Sequence, residues 1–283
     1  MALTNTTTLS ELLPQIVQEA IFVASEKSIA KGLVRNYTLP LQQGKTVTVP
    51  IYNKVTAAAL TEATAPTATA IDTDGATLTV SEVGIRATVS DLAINSSATN
   101  VVADIGRLFG ESIARKMDTD VMALFTGFTN SVGSASTTLT PALIFQAIAK
   151  LRSEGYDTSN DCAIVLHPNA VYDVASILTS TFAAPASMVG NDALRNGFMG
   201  TLGGVPVYQS SLVPLTDGST AGDFTGALIH KDAIGLAMMQ DIKIESQREA
   251  TLRGFDIVGS AIYGVGELYD TAGVKISSDS TIA

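Results

Sequence analysis

Apolar residues near the start of the chain recur at helical spacing. Leu13, Ile16, Val17, Ala20, Ile21 and Ala24 predict an amphipathic helix from about Leu9 to Lys31. Thr8 or Ser10 is placed to cap it and Gly32 to stop it. From Tyr37 to Asp91 the period changes to two. Thr46-Val47-Thr48-Val49 alternates cleanly, and Pro50 directly after it suits an edge strand, since proline cannot donate to a ladder. Ala57 to Thr73 is rich in Ala and Thr, contains Pro66, and carries almost no large side chains. Asp72-Thr73-Asp74-Gly75 reads as a turn. Apolar positions then return at Leu78 and Val80 and continue at Val83, Ile85, Ala87 and Val89. The switch from even to odd numbers predicts a one-residue bulge near Glu82. The two arms together predict a long two-stranded hairpin, which is marginal in water by itself and calls for a neighbour to lie against.

The longest helical stripe follows: Val101, Ile105, Leu108, Phe109, Ile113, Met117, Val121, Leu124 and Phe125, capped by Ser96 or Ser97 and ended by Gly127. About 29 residues at 1.5 Å each give a strut of roughly 43 Å. Ser131 to Thr138 reads as a polar linker. Thr140-Pro141 opens a helix with Leu143, Ile144, Ala147, Ile148 and Leu151 inward, and Gly155 closes it. Ala163 to Leu166 predicts a short, fully buried strand, and Pro168-Asn169 starts a helix through Val171, Tyr172, Ala175 and Leu178. Thr179 to Leu194 reads as a loop. Gly203-Gly204 predicts a turn into Val205 to Tyr208, and Ala227 to Ile229 and Ile234 to Met238 continue the strands. This alternation predicts an α/β unit. Two long strands, Ile242 to Ala250 and Phe255 to Tyr263, are expected to share a domain with the strut, and Val274 to Ile276 adds a final strand.

Composition sharpens the picture. Of 283 residues, 46% are hydrophobic and only 16% charged, against roughly 25% charged in an average domain. Such a composition suits either an ordinary Ala/Thr-rich globule or a surface largely covered by partners, and the second is favoured. The formal net charge is −10, and no Lys/Arg cluster is present, which argues against sequence-specific nucleic-acid binding. Cys162 is the single cysteine, so an intrachain disulfide and a cysteine metal cluster are excluded; a small buried residue is expected there. Met1 to Glu11 lacks a secretory pattern, and no apolar run approaches the roughly 20 residues that span a bilayer. The expectation is a protein made soluble in a cytoplasm.

Catalytic signatures are sparse. His167 and His230 stand at the ends of apolar strands with no i, i+4 partner and no HExxH pattern, so structural roles are expected. No GxSxG elbow occurs. Gly200-Thr201-Leu202-Gly203-Gly204 lacks the GKS/T ending of a phosphate loop and reads as a tight turn. Asp72 and Asp74 lack the other positions of a calcium loop. On the strut, Glu111 and Arg115 are spaced for a surface pair. Arg248, Glu249, Arg253 and Asp256 form the one concentration of mixed charge. It is either an exposed hairpin end or a contact in which complementary charges fix the register between subunits.

The ordered set of elements resembles the major capsid protein family of tailed bacteriophages, whose fold, the Hong Kong ninety-seven fold, is shared with encapsulin shells. The segments carrying the resemblance are Cys162-Ala-Ile-Val-Leu-His-Pro-Asn-Ala-Val-Tyr172, Gly200-Thr-Leu-Gly-Gly-Val-Pro-Val-Tyr208, Gly226-Ala-Leu-Ile-His-Lys-Asp232 and Ile244-Glu-Ser-Gln-Arg-Glu249. The resemblance implies an α+β chain with an N-terminal arm (1–35), an extended β-hairpin loop (36–90), a peripheral domain with a long spine helix (91–139 and 238–270) and an α/β axial domain (140–237 and 271–283). It implies a non-enzymatic shell protein that forms hexamers and pentamers of an icosahedral head around double-stranded DNA, with no cofactor and no membrane. Portal protein and scaffolding or cement proteins are the implied partners, and the virion, assembled in the bacterial cytoplasm, the implied location. Candidate subunit contacts are Lys54, Glu62 and Arg86 on the loop, Glu111 and Arg115 on the spine, and Arg248, Glu249, Arg253 and Asp256 at the charged turn. Some members of the family cross-link a loop lysine to a peripheral-domain asparagine. Here Lys54 is in the loop but no asparagine lies between Asp241 and Asp270, so non-covalent assembly is expected. The alternatives are an encapsulin-like compartment, another phage structural protein, or a small-molecule α/β enzyme.

Overall fold

The computed structural model describes residues 28–41, 44–52, 57, 59–60, 62, 65, 68, 73–96, 101–158, 161–181, 200–216 and 222–282. The expected helix from Leu9 falls mainly on residues 1–27, outside that set. Of its expected end, Ser28 and Ile29 are not helical, and a separate helical turn, α1 (Ala30–Leu33), contains Gly32. In chain order there follow β1 (Arg35–Thr38), β2 (Thr46–Tyr52), β3 (Thr73–Thr79), β4 (Ser81–Ser90), α2 (Asp91–Ser96), α3 (Val101–Ala123), β5 (Ser131–Thr138), α4 (Pro141–Ser153), β6 (Cys162–Leu166), α5 (Pro168–Thr181), β7 (Thr201–Leu202), β8 (Val205–Gln209), β9 (Asp223–His230), β10 (Ile234–Glu249), β11 (Gly254–Glu267) and β12 (Gly273–Asp279).

Two sheets organise the chain. The first runs β1-β10-β11-β4, the second β5-β12-β9-β6-β8-β7, and β2-β3 forms a separate ribbon. Helix α3 lies on the first sheet. Ile105, Phe109, Ile113, Met117, Val121, Met122 and Phe125 meet Ile242, Ile244, Ile257, Ala261 and Tyr263. Leu108 departs from the expected stripe and is 61% exposed, because it stands one position beside Phe109, which takes the inward site. The helix has 23 residues, about 35 Å at 1.5 Å each, followed by a tighter turn (Leu124–Gly127). Residues 91–96 form the separate helix α2. Helix α4 packs on one face of the second sheet through Ile144, Ala147, Ile148 and Leu151, and α5 through Ala170, Val171 and Val174. The Thr140 hydroxyl accepts the Leu143 N–H at 3.4 Å and Pro141 occupies the first turn of α4, as the sequence predicts.

Five expectations are corrected. The even-to-odd switch between Val80 and Val83 is no bulge: β3 pairs with β2, and β4 leaves for the first sheet, pairing without a break from Ser81↔Tyr263 to Ser90↔Gly254. The phase changes because the two strands answer to different sheets. Among the described residues Thr73–Thr79 pairs with Thr46–Tyr52, and Ser81–Ser90 is no part of that hairpin. Asp74 and Gly75 are ladder residues opposite Ile51 and Pro50, not a turn. The expected linker Ser131 to Thr138 is β5, an edge strand parallel to β12. Val132 is its one large apolar residue and it is buried, too little to produce an alternation signal. Ile234 to Met238 belongs with the long closing strands, not the α/β unit: β10 is one 16-residue strand, irregular around Met238 to Lys243, paired with β1 and β11.

Candidate subunit-contact surface

Strands β10 and β11 reach out together, about 50 Å at roughly 3.3 Å per residue, and turn through residues 250–253. Arg253 takes a left-handed φ of 45° at the turn, and its carbonyl accepts the Asp91 N–H at 2.8 Å. Asp91 in turn receives Arg248 through Nη2 at 3.0 Å and Nη1 at 3.4 Å, a fork suited to the planar guanidinium. Arg248 also lies 5.0 Å over the Phe255 ring. One step inward, the Asp256 carboxylate accepts the Thr88 hydroxyl at 2.5 Å and pairs with Arg86. These two hydrogen bonds, Thr88 first, hold the Asp256 carboxyl below its usual range, and the bond to Asp256 pushes the Arg86 guanidinium up.

Of the nine candidate contact residues, Arg86, Arg248 and Asp256 are therefore engaged within their own chain. They fasten β4 and the start of α2 to the β10–β11 hairpin. Glu249 accepts the Thr251 hydroxyl at 2.5 Å. The Arg253 side chain is exposed and has no ion-pair partner among the described residues. Leu252 at the turn is 58% exposed and Leu92 in α2 is 77% exposed. Sequence reasoning missed these leucines because neither belongs to a periodic stripe. Glu62 is exposed and Lys54 lies outside the described residues. On α3, Glu111 is half-buried and Arg115 exposed; a pair spaced like theirs joins Lys116 to Asp120 at 2.5 Å.

A buried anchor also escaped the sequence. Asp118 on α3, 4% exposed, accepts the Ser28 hydroxyl at 2.7 Å, the Ile29 N–H at 3.1 Å and the Ala30 N–H at 3.2 Å. Its neighbour Asp120 accepts the Tyr263 hydroxyl at 2.8 Å; burial, then that bond, raises the tyrosine pKa well above its ordinary value.

The residues singled out for possible chemistry make local packing and hydrogen-bond contacts. His167 stacks on Phe224 at 3.6 Å, and its Nδ1 accepts the Asn169 N–H at 3.2 Å; burial lowers its pKa. His230 accepts the Asp232 N–H in the same way at 3.2 Å. Cys162 is buried, which pushes its thiol up to about 11. Gly203 and Gly204, at φ 60° and 88°, form a tight turn between β7 and β8. Among the described residues no group of three or more His, Cys, Asp or Glu is placed to hold a metal ion, and no helix is long and apolar enough to cross a membrane.

A helix laid on a sheet with two very long strands, joined to an α/β unit, is an architecture that solved structures share. The capsid of cyanophage P-SCSP1u matches with a TM-score of 0.70 at 16% identity, over 90% of this chain and 89% of that one. Mycobacterium phage Che8 matches with 0.67 at 18% identity, over 83% and 85%. An encapsulin complex from Synechococcus elongatus matches with 0.62 at 14% identity, over 89% and 88%. The family described as phage capsid protein matches residues 75–276, well over half of the chain. The chain belongs to the phage capsid protein family; it is a phage major capsid protein, a structural component of the virion. No curated protein matches the chain.

Proposed function

We propose that copies of this chain assemble non-covalently into hexamers and pentamers that close an icosahedral head around double-stranded DNA. The carrying observation is the family match, supported by a β2–β3 ribbon that belongs to neither main sheet and by the exposed turn of the β10–β11 hairpin. In this reading residues 1–35 are the arm and the ribbon is the extended loop. The first sheet with α3 is the peripheral domain, and the second sheet with α4 and α5 the axial domain. The strand pairings favour assigning β4 and all of β10 to the former and β5 to the latter. Portal, scaffolding and cement proteins are the further partners, assembly takes place in the host cytoplasm, and the chain has no catalytic role. The net charge of −10 suits a wall that encloses a polyanion without adhering to it.

Electron microscopy of the purified protein tests this. Closed angular shells with six-fold capsomers are expected, and the same particles are expected to run as single chains on a denaturing gel. Monomers in every buffer would overturn assembly, and a covalent ladder its non-covalent character. Shells that co-purify with an enzyme cargo instead of a genome would favour the encapsulin reading.

The exposed end of the β10–β11 hairpin, with Leu92, Leu252, Glu249 and Arg253, is the proposed contact near three-fold axes. Each copy presents an apolar pair flanked by one cation and one anion, which suits a closed ring of head-to-tail contacts. Arg253→Glu is expected to reduce shell yield at least about tenfold, the factor equivalent to 1.4 kcal/mol, with the monomer's Tm unchanged. Normal shells from this variant would remove the turn from the interface.

A further inference from the structure

The outer strand of a sheet carries unpaired backbone N–H and C=O groups, and folded chains usually blunt such edges. Three of the four edges of the two main sheets are blunted here. β1 has four residues and β7 two. β5 loses register with β12 between Ser277 and Asp279, close to Gly133 at φ 78°. β4 differs. Its ten residues hold register with β11 from end to end and include no proline and no lysine. Among the described residues no strand pairs with its second edge. Two backbone bonds bracket the strand, Val80 N–H to the Lys45 carbonyl at 2.9 Å and Asp91 N–H to the Arg253 carbonyl at 2.8 Å.

Alternation sorts the side chains of β4. Val83, Ile85, Ala87 and Val89 are half-buried against the core beneath α3. Glu82, Gly84, Arg86 and Thr88 stand on the opposite, exposed face. Glu82 and Arg86 are placed symmetrically about Gly84. A second β4 laid antiparallel about that centre sets Glu82 opposite the partner's Arg86 and Arg86 opposite the partner's Glu82. On the buried face Val83 meets the partner's Ile85, and at the centre glycine meets glycine. Opposite charges facing each other across strands attract and like charges repel. A two-fold axis through the sheet keeps exposed face beside exposed face, so the centre must fall on a residue. With the centre on Ile85, Glu82 faces a threonine and Arg86 a glycine; with the centre on Arg86, two arginines collide. Of the centres along β4, Gly84 alone satisfies both charges. Arg86 already pairs with Asp256, and its guanidinium has donors left for a second carboxylate. Glu82 has no ion-pair partner among the described residues. Because β2 holds β3 up to Thr79, the shared ladder is confined to Ser81–Ala87.

We propose that β4 pairs with β4 of a second copy of this chain about a two-fold axis at Gly84, which joins two four-stranded sheets into one continuous sheet. The interface is isologous, the same patch on both sides, unlike the head-to-tail contact of the hairpin end. It rests on the reading that copies of the chain assemble, and within that reading it ties chains in pairs rather than around a ring.

Gly84→Cys in the full chain tests it. Directly opposed Cα atoms of an antiparallel pair lie about 4.5–5.5 Å apart, inside the roughly 4.4–6.8 Å that a disulfide spans, and the native Cys162 is buried. Under mild oxidation a disulfide-linked dimer is expected from Gly84→Cys and none from Thr88→Cys, which shares the face but stands away from the axis. Adding Glu82→Lys to Gly84→Cys makes both charge pairs repulsive and is expected to slow the cross-link at least about tenfold. Equal rates with and without Glu82→Lys, or a dimer from Thr88→Cys, overturn the register. Shells in which Gly84→Cys does not cross-link overturn the pairing and leave assembly standing, whereas cross-linked dimers that never close into shells do the reverse. A Cβ on Gly84 would stand 3.2 Å from the Gly259 carbonyl oxygen. Should the variant not fold, amide exchange of the unaltered chain decides. Slower exchange within Ser81–Ala87 on self-association supports the pairing. Exchange that stays the same, or that slows only when a different protein is added, sinks it.

Discussion

Asp118→Ala is expected to lower the stability of the folded chain by about 3 kcal/mol. Alanine removes the acceptor for the Ser28 hydroxyl and the Ile29 and Ala30 N–H groups. The Ala30 amide is buried with the side chain it meets, and each orphaned buried donor costs about 1–3 kcal/mol. At roughly 2–4 °C per kcal/mol for a chain of this size, Tm is expected to fall by about 6–12 °C. Asp118→Asn should lie between. Its carbonyl can still receive Ser28 and Ala30, but its amide would face the Ile29 N–H. Calorimetry on the three proteins checks the order. An alanine variant within a degree of the parent would show that the anchor is dispensable. The consequence for assembly follows from position, since Asp118 ties the segment before β1 to the middle of α3. Fewer closed shells are expected at temperatures where the variant is still folded.

This anchor marks where the sequence stops being legible. Asp118 stands on α3 between Met117 and Val121, and nothing local distinguishes it from a solvated aspartate; its partners lie about ninety positions earlier. Elements set by local pattern were readable: α3 from its apolar stripe, α4 from Thr140-Pro141, β6 from four consecutive apolar residues, and the β7–β8 turn from its paired glycines. Features set by pairing with distant strands were not. The phase change after Val80 is visible in the sequence, but only the partners of β3 and β4 explain it. β5 has too few apolar residues to announce itself because its neighbour β12 and helix α4 supply the core around Val132. The charged turn shows the same division. Its residues were picked out by composition, yet Arg248 and Asp256 are spent on Asp91, Arg86 and Thr88 of the same chain. What stays exposed at this end is Leu92, Leu252 and Arg253, of which composition picked out Arg253 alone.

The ribbon's attachment yields the second large effect. Gly264 on β11 lies beneath the junction of β3 and β4, where the chain passes from ribbon to sheet. A Cβ built on Gly264 would stand 2.1 Å from the Thr79 carbonyl oxygen, 2.7 Å from its carbon and 3.0 Å from the Val80 Cα. All three are backbone atoms, so no rotamer change relieves the clash. Leu78 and Val80 on the ribbon side are buried with Leu39, Ala237 and Leu268, and lifting the junction would expose this small core. Gly264→Ala is therefore expected to cost at least the upper end of the 1–3 kcal/mol typical of overpacking and to swing the ribbon's root away from β11. Gly266 supplies the control. It lies two residues along the same strand, but its added Cβ would meet only the Leu78 Cδ2 at 2.6 Å, the movable end of a side chain. Gly266→Ala should cost less and leave the ribbon in place. Limited proteolysis within residues 46–79, measured beside Tm, separates the two. Faster cleavage and lost assembly are expected for Gly264→Ala alone, because in the proposed assembly the loop's contact with a neighbour depends on the direction in which its root leaves the sheet. Equal behaviour of the two variants would mean that the ribbon's direction is set elsewhere.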